Sequence, residues 1–134
     1  MTRWRFLDRD LILALHEEVL AAHGGAIGII SESALMTAIL HPRDVARAEP
    51  GSDVARLAAA CACGFIRSHP FVDGKKGLAL VAMELFLAEN GHELTARDED
   101  CFIAIEQTAT REIDEEGLAA WVRANISAFR KKEK

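Results

Sequence analysis

The chain has 134 residues, half of them hydrophobic but only 6% aromatic, with no tyrosine. That length suits one core and is short for two, and a core so poor in rings must be built from Leu, Ile, Val and Ala, which favours packed helices. With 16 basic against 21 acidic side chains the net charge is −5, which argues against a sequence-blind nucleic-acid binder that gains affinity by neutralising phosphates.

In chain order, Asp8 can cap a helix that carries Leu11, Ile12, Leu15 and Val19 at helical spacing, with Gly24 and Gly25 as its stop. "GGAIGII" is glycine-rich and β-branched and reads as a loop or a short hairpin, a flap near residues 24–31. Ser31 or Ser33 opens a short helix through Leu40, expected to end before Pro42. After the turn "AEPGSD", Ser52 or Asp53 caps a run with Val54, Leu57, Ala58, Cys61 and Phe65 that is apolar almost all round, the mark of a buried helix. It must stop near Ser68 or His69, because Pro70 cannot continue the hydrogen-bond ladder. A second apolar run, "LALVAMELFLAENG", closes at Asn90-Gly91. Thr95 is expected to cap a helix bearing Phe102, Ile105 and Ala109, and Asp114 a last one bearing Leu118, Trp121, Val122, Ile126 and Phe129. Strand signals are few, so the expected fold class is all-α.

Cys61, Cys63 and Cys101 are odd in number and lie in apolar runs, which suits a reducing compartment and a cytoplasmic protein. No stretch has the apolar length of a membrane span, and "MTRWRFLDRD" has neither a long apolar region nor a small-residue cleavage site. One domain over residues 1–130 with a charged tail at 131–134 is expected, free of membrane and of direct nucleic-acid contact.

The chemistry gathers in "SHPFVDGKKGLAL", residues 68–80, the join between the two apolar helices. The first delivers His69, and the second leaves unpaired backbone N–H groups after Gly74. Those donors and the helix dipole favour a phosphate. Asp73 is a hard oxygen ligand able to hold Mg²⁺ against it, Lys75 and Lys76 add positive charge, and an imidazole can take a proton from a hydroxyl. Lysines at a helix amino terminus oppose the dipole by about 0.3 to 1 kcal/mol each, a sign that a bound anion reverses.

"HPFVDGKKG" resembles the signature of the Fic/Doc superfamily: His, any residue, Phe, any residue, an acid, Gly or Ala, Asn, Gly or Lys, Arg. It looks closest to the death-on-curing (Doc) toxin branch, to whose opening helix "WRFLDRDLILALHEEVLAAHGG" is similar, as are "GIISESALMTAILHP" and "LFLAENGHELT" to the segments after its flap and motif. The resemblance implies a fido fold of about six helices around a central helix pair, and a Doc-like toxin of a type II toxin-antitoxin system. Such a toxin uses ATP and Mg²⁺ to phosphorylate a protein hydroxyl, on elongation factor Tu in that branch, and is held by a Phd-like antitoxin. By the same mapping His69 is the base, Asp73 the metal ligand, Gly74 part of the anion nest with Lys75, Lys76 and Gly77, and Phe71 the anchor of the loop. Lys76 stands at the place that separates the Doc branch from the nucleotidyl-transferring Fic proteins.

Two positions depart from the signature. Lys75 stands for Asn, exchanging a directional donor and acceptor for a flexible charge, and Gly77 stands for Arg, removing a planar phosphate clamp. An arginine that stabilises a transferring phosphoryl group is worth about 10³ to 10⁵ in rate. In the flap, Ile30 and Ser31 replace the usual Arg and Asp. Besides a weakened kinase, the chain can therefore be read as an inactive fido pseudoenzyme serving as a binding or corepressor module, or as a Fic-type AMP transferase. His16, His23, His41 and His92 follow no metal spacing and read as structural or exposed, Cys61 and Cys63 as core fillers, and "REIDEE" as a solvated helix cap.

Overall fold

The computed structural model describes residues 4–129, and among them the chain forms six helices and one small two-stranded sheet. The charged tail at 131–134 lies outside the described residues. Helix α1, Arg9–His23, starts where the Asp8 carboxylate accepts the Leu11 amide, and it ends at Gly24 with φ 80°. Its buried stripe is Ile12, His16, Val19 and Leu20. The flap that follows forms no hairpin of its own, and its one β-bridge joins Ile29 to Phe71 of the motif. Six packed helices otherwise match the expected all-α fido architecture.

Helix α2, Glu32–Ala48, is capped by Ser31 and runs straight through Pro42, where the sequence predicts a stop. An interior proline costs about 3 kcal/mol, partly because the carbonyl four residues back loses its donor. Here that carbonyl belongs to Ala38 and lies against Gly64, so close that a Cβ at Gly64 would fall 2.8 Å from the oxygen. Burial of the Pro42 ring against the core offsets the rest of the cost.

Helix α3, Val54–Ser68, is the axis of the molecule, with twelve of its fifteen residues buried. Asp53 caps it by accepting the Arg56 amide. The small side chains of Ala58 to Gly64 let α2, helix α4, Lys75–Glu89, and the chain's last helix, α6, Glu115–Ala124, all close on it. Helix α4 is less enclosed than its composition suggests. It buries Leu78, Ala79, Ala82, Met83, Phe86 and Leu87, while Leu80, Val81 and Leu85 stay half-buried along its outer side. All three cysteines are free and buried, and burial pushes the Cys63 thiol up to about 12, as expected of core fillers.

Strand β1, His92–Leu94, follows the turn at Asn90-Gly91. Helix α5, Asp98–Ala109, begins three residues past the expected Thr95 cap. The Thr95 amide is spent on the Asn125 carbonyl, and Asp98, Glu99 and Asp100 answer the helix dipole instead. Helix α6, Glu115–Ala124, is capped by Asp114 as predicted but stops at Asn125, before Ile126. Residues Ile126–Ala128 become strand β2, antiparallel to β1 with Leu94 opposite Ile126. The Asn125 amide group donates to the Trp121 carbonyl and closes the helix there. Among the described residues no helix is long and apolar enough to cross a membrane.

Candidate functional site

Residues 69–74 link α3 to α4 and carry the motif. His69 ends α3 with φ 51° and ψ 56°, left-handed backbone that a side chain disfavours by about 1–2 kcal/mol. Its ring is exposed and has no hydrogen-bond partner among the described residues. The flap holds the next residues in place. The Pro70 carbonyl accepts the Ile30 amide at 2.7 Å, and the Val72 amide donates to the Gly28 carbonyl at 3.1 Å. Phe71 is 1% exposed, its burial worth about 1.5–3 kcal/mol.

His16 supports the loop from below. Its ring stacks on Phe71 with centroids 3.8 Å apart, and its Nε2 donates to the Asp73 backbone carbonyl at 2.8 Å. A carbonyl only accepts, so Nε2 carries the proton. The sequence offered one hint of this role, a histidine on the apolar stripe of α1, but nothing that named its partners.

One pocket of about 280 Å³ gathers His69, Asp73, Gly74, Lys75, Lys76 and Gly77. The predicted base and the predicted metal ligand therefore face a common space. Gly74 caps α4 in left-handed backbone with φ 87°, and no side chain caps the helix start. The amides of Lys75, Lys76 and Gly77 have no intrahelical acceptor, which leaves three donors free at the helix start. The two lysines diverge. Lys76 reaches α5, its Nζ 3.0 Å from Glu106 Oε1, whereas Lys75 has no acidic partner among the described residues. Gly77 is packed shut: a Cβ there would fall 2.8 Å from Val19 Cγ1. Val19 thus occupies the space into which an arginine side chain would depart.

Asp73 Oδ2 accepts the Ala26 amide at 2.8 Å and pins the flap over the loop. No group of three metal-binding side chains forms among the described residues, and Asp73 is the one carboxylate among the residues that line the pocket. That donor set fits Mg²⁺, which is usually held by one or two carboxylates with phosphates and waters.

A second polar cluster was not foreseen. Glu115, read as part of a solvated cap, is 7% exposed. Its carboxylate accepts from His41 at 3.0 Å, Arg56 at 2.7 Å and Arg67 at 2.8 Å, tying α2, α3 and α6 together. Burial pushes this carboxyl up, but hydrogen bonds and charge from His41 and Arg56 outweigh it and hold the pKa at about 2.

The model of the Fic/DOC family matches residues 6–87, from the segment before α1 almost to the end of α4. The chain belongs to the Fic/DOC family. No curated protein matches it. The matched segment contains the flap, the His16 support and the whole motif loop, so the Fic/DOC match and the geometry mark one and the same place. Helices α5 and α6, with Glu106, Arg111 and Glu115, lie beyond it.

Proposed function

We propose that the chain is a Doc-like toxin that uses ATP and Mg²⁺ to phosphorylate a protein hydroxyl, with elongation factor Tu as the expected kind of substrate. One observation carries this reading: in a Fic/DOC chain, His69, Asp73 and the free amides after Gly74 line a single pocket. His69 takes the proton of the incoming hydroxyl as its oxygen bonds to the γ-phosphorus, the bond to the β-phosphate oxygen breaks, and ADP leaves. Asp73 would hold the magnesium ion, which neutralises phosphate charge. Ser31, where the branch commonly has Asp, caps α2 instead, so the flap offers exposed Ile27 and Ile30 rather than charge to a target segment.

A Phd-like antitoxin is the proposed partner. A groove of about 470 Å³ between α1, α4 and α5 is lined by apolar Val19, Leu80, Val81 and Phe102 and by the acids Glu84, Asp98 and Glu99. It suits a helix with an apolar face and basic flanks. Expression of the wild type should arrest growth and His69→Ala should relieve the arrest. Equal harmlessness of the two at matched levels would overturn the toxin reading. Mass spectrometry of the modified target then separates phosphoryl from AMP transfer.

The packing of Val19 on Gly77 and the pairing of Lys76 with Glu106 favour a second reading, a binding or corepressor module without catalysis. Calorimetry decides between them, since such a module would show no magnesium-dependent ATP binding.

A further inference from the structure

Two residues other than glycine have positive φ among the described residues, His69 at 51° and Arg111 at 68°. The first is the proposed base. The second lies in the turn between α5 and α6, where glycine would fit with less strain, so the arginine side chain itself calls for a use. Arg111 lines a cavity of about 490 Å³ together with Arg67 and Lys75. That volume falls in the range of small-molecule sites, and Lys75 lines both this cavity and the motif pocket.

The lining is cationic in effect as well as in name. Arg67, Lys75 and Arg111 outnumber its one acid, Asp114, whose Oδ1 accepts the Gly117 amide at 2.7 Å, and the Thr108 hydroxyl donates to the Ala104 carbonyl. Arg67 is aimed by its 2.8 Å hydrogen bond to Glu115 and stays half exposed. Neither Lys75 nor Arg111 has an ion-pair partner among the described residues. No aromatic residue lines the cavity, so it has nothing on which a base would stack. Its chemistry selects a polyanion.

Taking the motif pocket as a nucleotide site, we propose that the phosphate chain extends from the α4 amides past Lys75 into this cavity. There Arg111 and Arg67 hold the end of the chain remote from His69, so that the turn after α5 supplies the guanidinium that position 77 lacks. Arg111 lies outside the segment that matches the family, and the motif alone does not reveal it.

The test is calorimetry of the full chain with ATP·Mg²⁺ and with inorganic tripolyphosphate, comparing wild type, Arg111→Lys and Arg111→Gly. Glycine accepts positive φ, so Arg111→Gly should melt no lower than wild type and yet bind both ligands about tenfold or more weakly, the size of one lost charge-assisted hydrogen bond. Arg111→Lys should recover part of the loss. Unchanged binding of both ligands by Arg111→Gly overturns the inference and leaves the motif pocket standing. Binding of tripolyphosphate but not of ATP, dependent on Arg111, upholds the anion cavity and sinks the nucleotide reading. If wild type binds neither ligand, both readings fail.

Discussion

The buried imidazole of His16 donates a hydrogen bond to the backbone carbonyl of Asp73 across 2.8 Å, with its ring flat on Phe71. Helix α1 thereby sets the height of a loop 57 residues away in sequence. Replacing His16 by Phe keeps a ring against Phe71 but leaves the carbonyl without its donor, at a cost of about 1–3 kcal/mol. Urea titration should show that loss, and amide exchange at Gly74 and Lys75 should quicken more than exchange in α6. A uniform change in exchange would mean that His16 supports the core generally and not the loop.

Glu115 makes stability depend on acid. Its carboxyl is held at about 2 in the folded chain against an ordinary 4.5. The folded form therefore binds its proton less readily than the unfolded one. Its stabilising contribution is complete above pH 4.5 and is lost as the pH falls toward 2. Glu115→Gln should flatten that part of the pH–stability curve. At neutral pH it should cost about 3–5 kcal/mol, because Arg56 and Arg67 lose the negative charge that pairs them and one of its two accepting oxygens becomes a donor. Denaturant midpoints measured from pH 2 to 7 check both parts, and a slope retained in the variant would assign the acid sensitivity elsewhere.

Restoring an arginine at position 77 should not be a simple gain. The first carbon of any side chain there meets Val19 Cγ1 at 2.8 Å, and a β-branched residue on a helix has little freedom to turn away. Gly77→Arg should cost about 1–3 kcal/mol through overpacking, and Val19→Ala in the same chain should recover most of it. Thermal melts of the two single variants and the double form a cycle, and additive effects would show that the contact is not what limits this position.

Much of the architecture was legible because its signals are local. Asp8, Ser31, Asp53 and Asp114 cap the helices that their sequence positions announced, each through a bond to a backbone amide three residues on. The motif loop was legible for the same reason, since proline, glycine and the flanking apolar runs fix where one helix ends and the next begins. The misreadings are all tertiary. Pro42 stays inside α2 because Gly64 lies beside the carbonyl it frees. Residues Ile126–Ala128 leave the helix because β1 waits alongside them. Glu115 is buried because two arginines and a histidine from other helices converge on it. No window along the chain contains such partners.

Near its amino end the chain is fastened where Asn90 Oδ1 accepts the Arg5 amide and Asn90 Nδ2 donates to the Arg5 carbonyl. Close by, the Phe129 amide donates to the Gly91 carbonyl. Arg5 and Phe129 are thus both held beside the Asn90-Gly91 turn, at the far end of α4 from the motif. A surface tether attached at Arg5 or Phe129 would therefore lie at the opposite end of α4 from the motif loop.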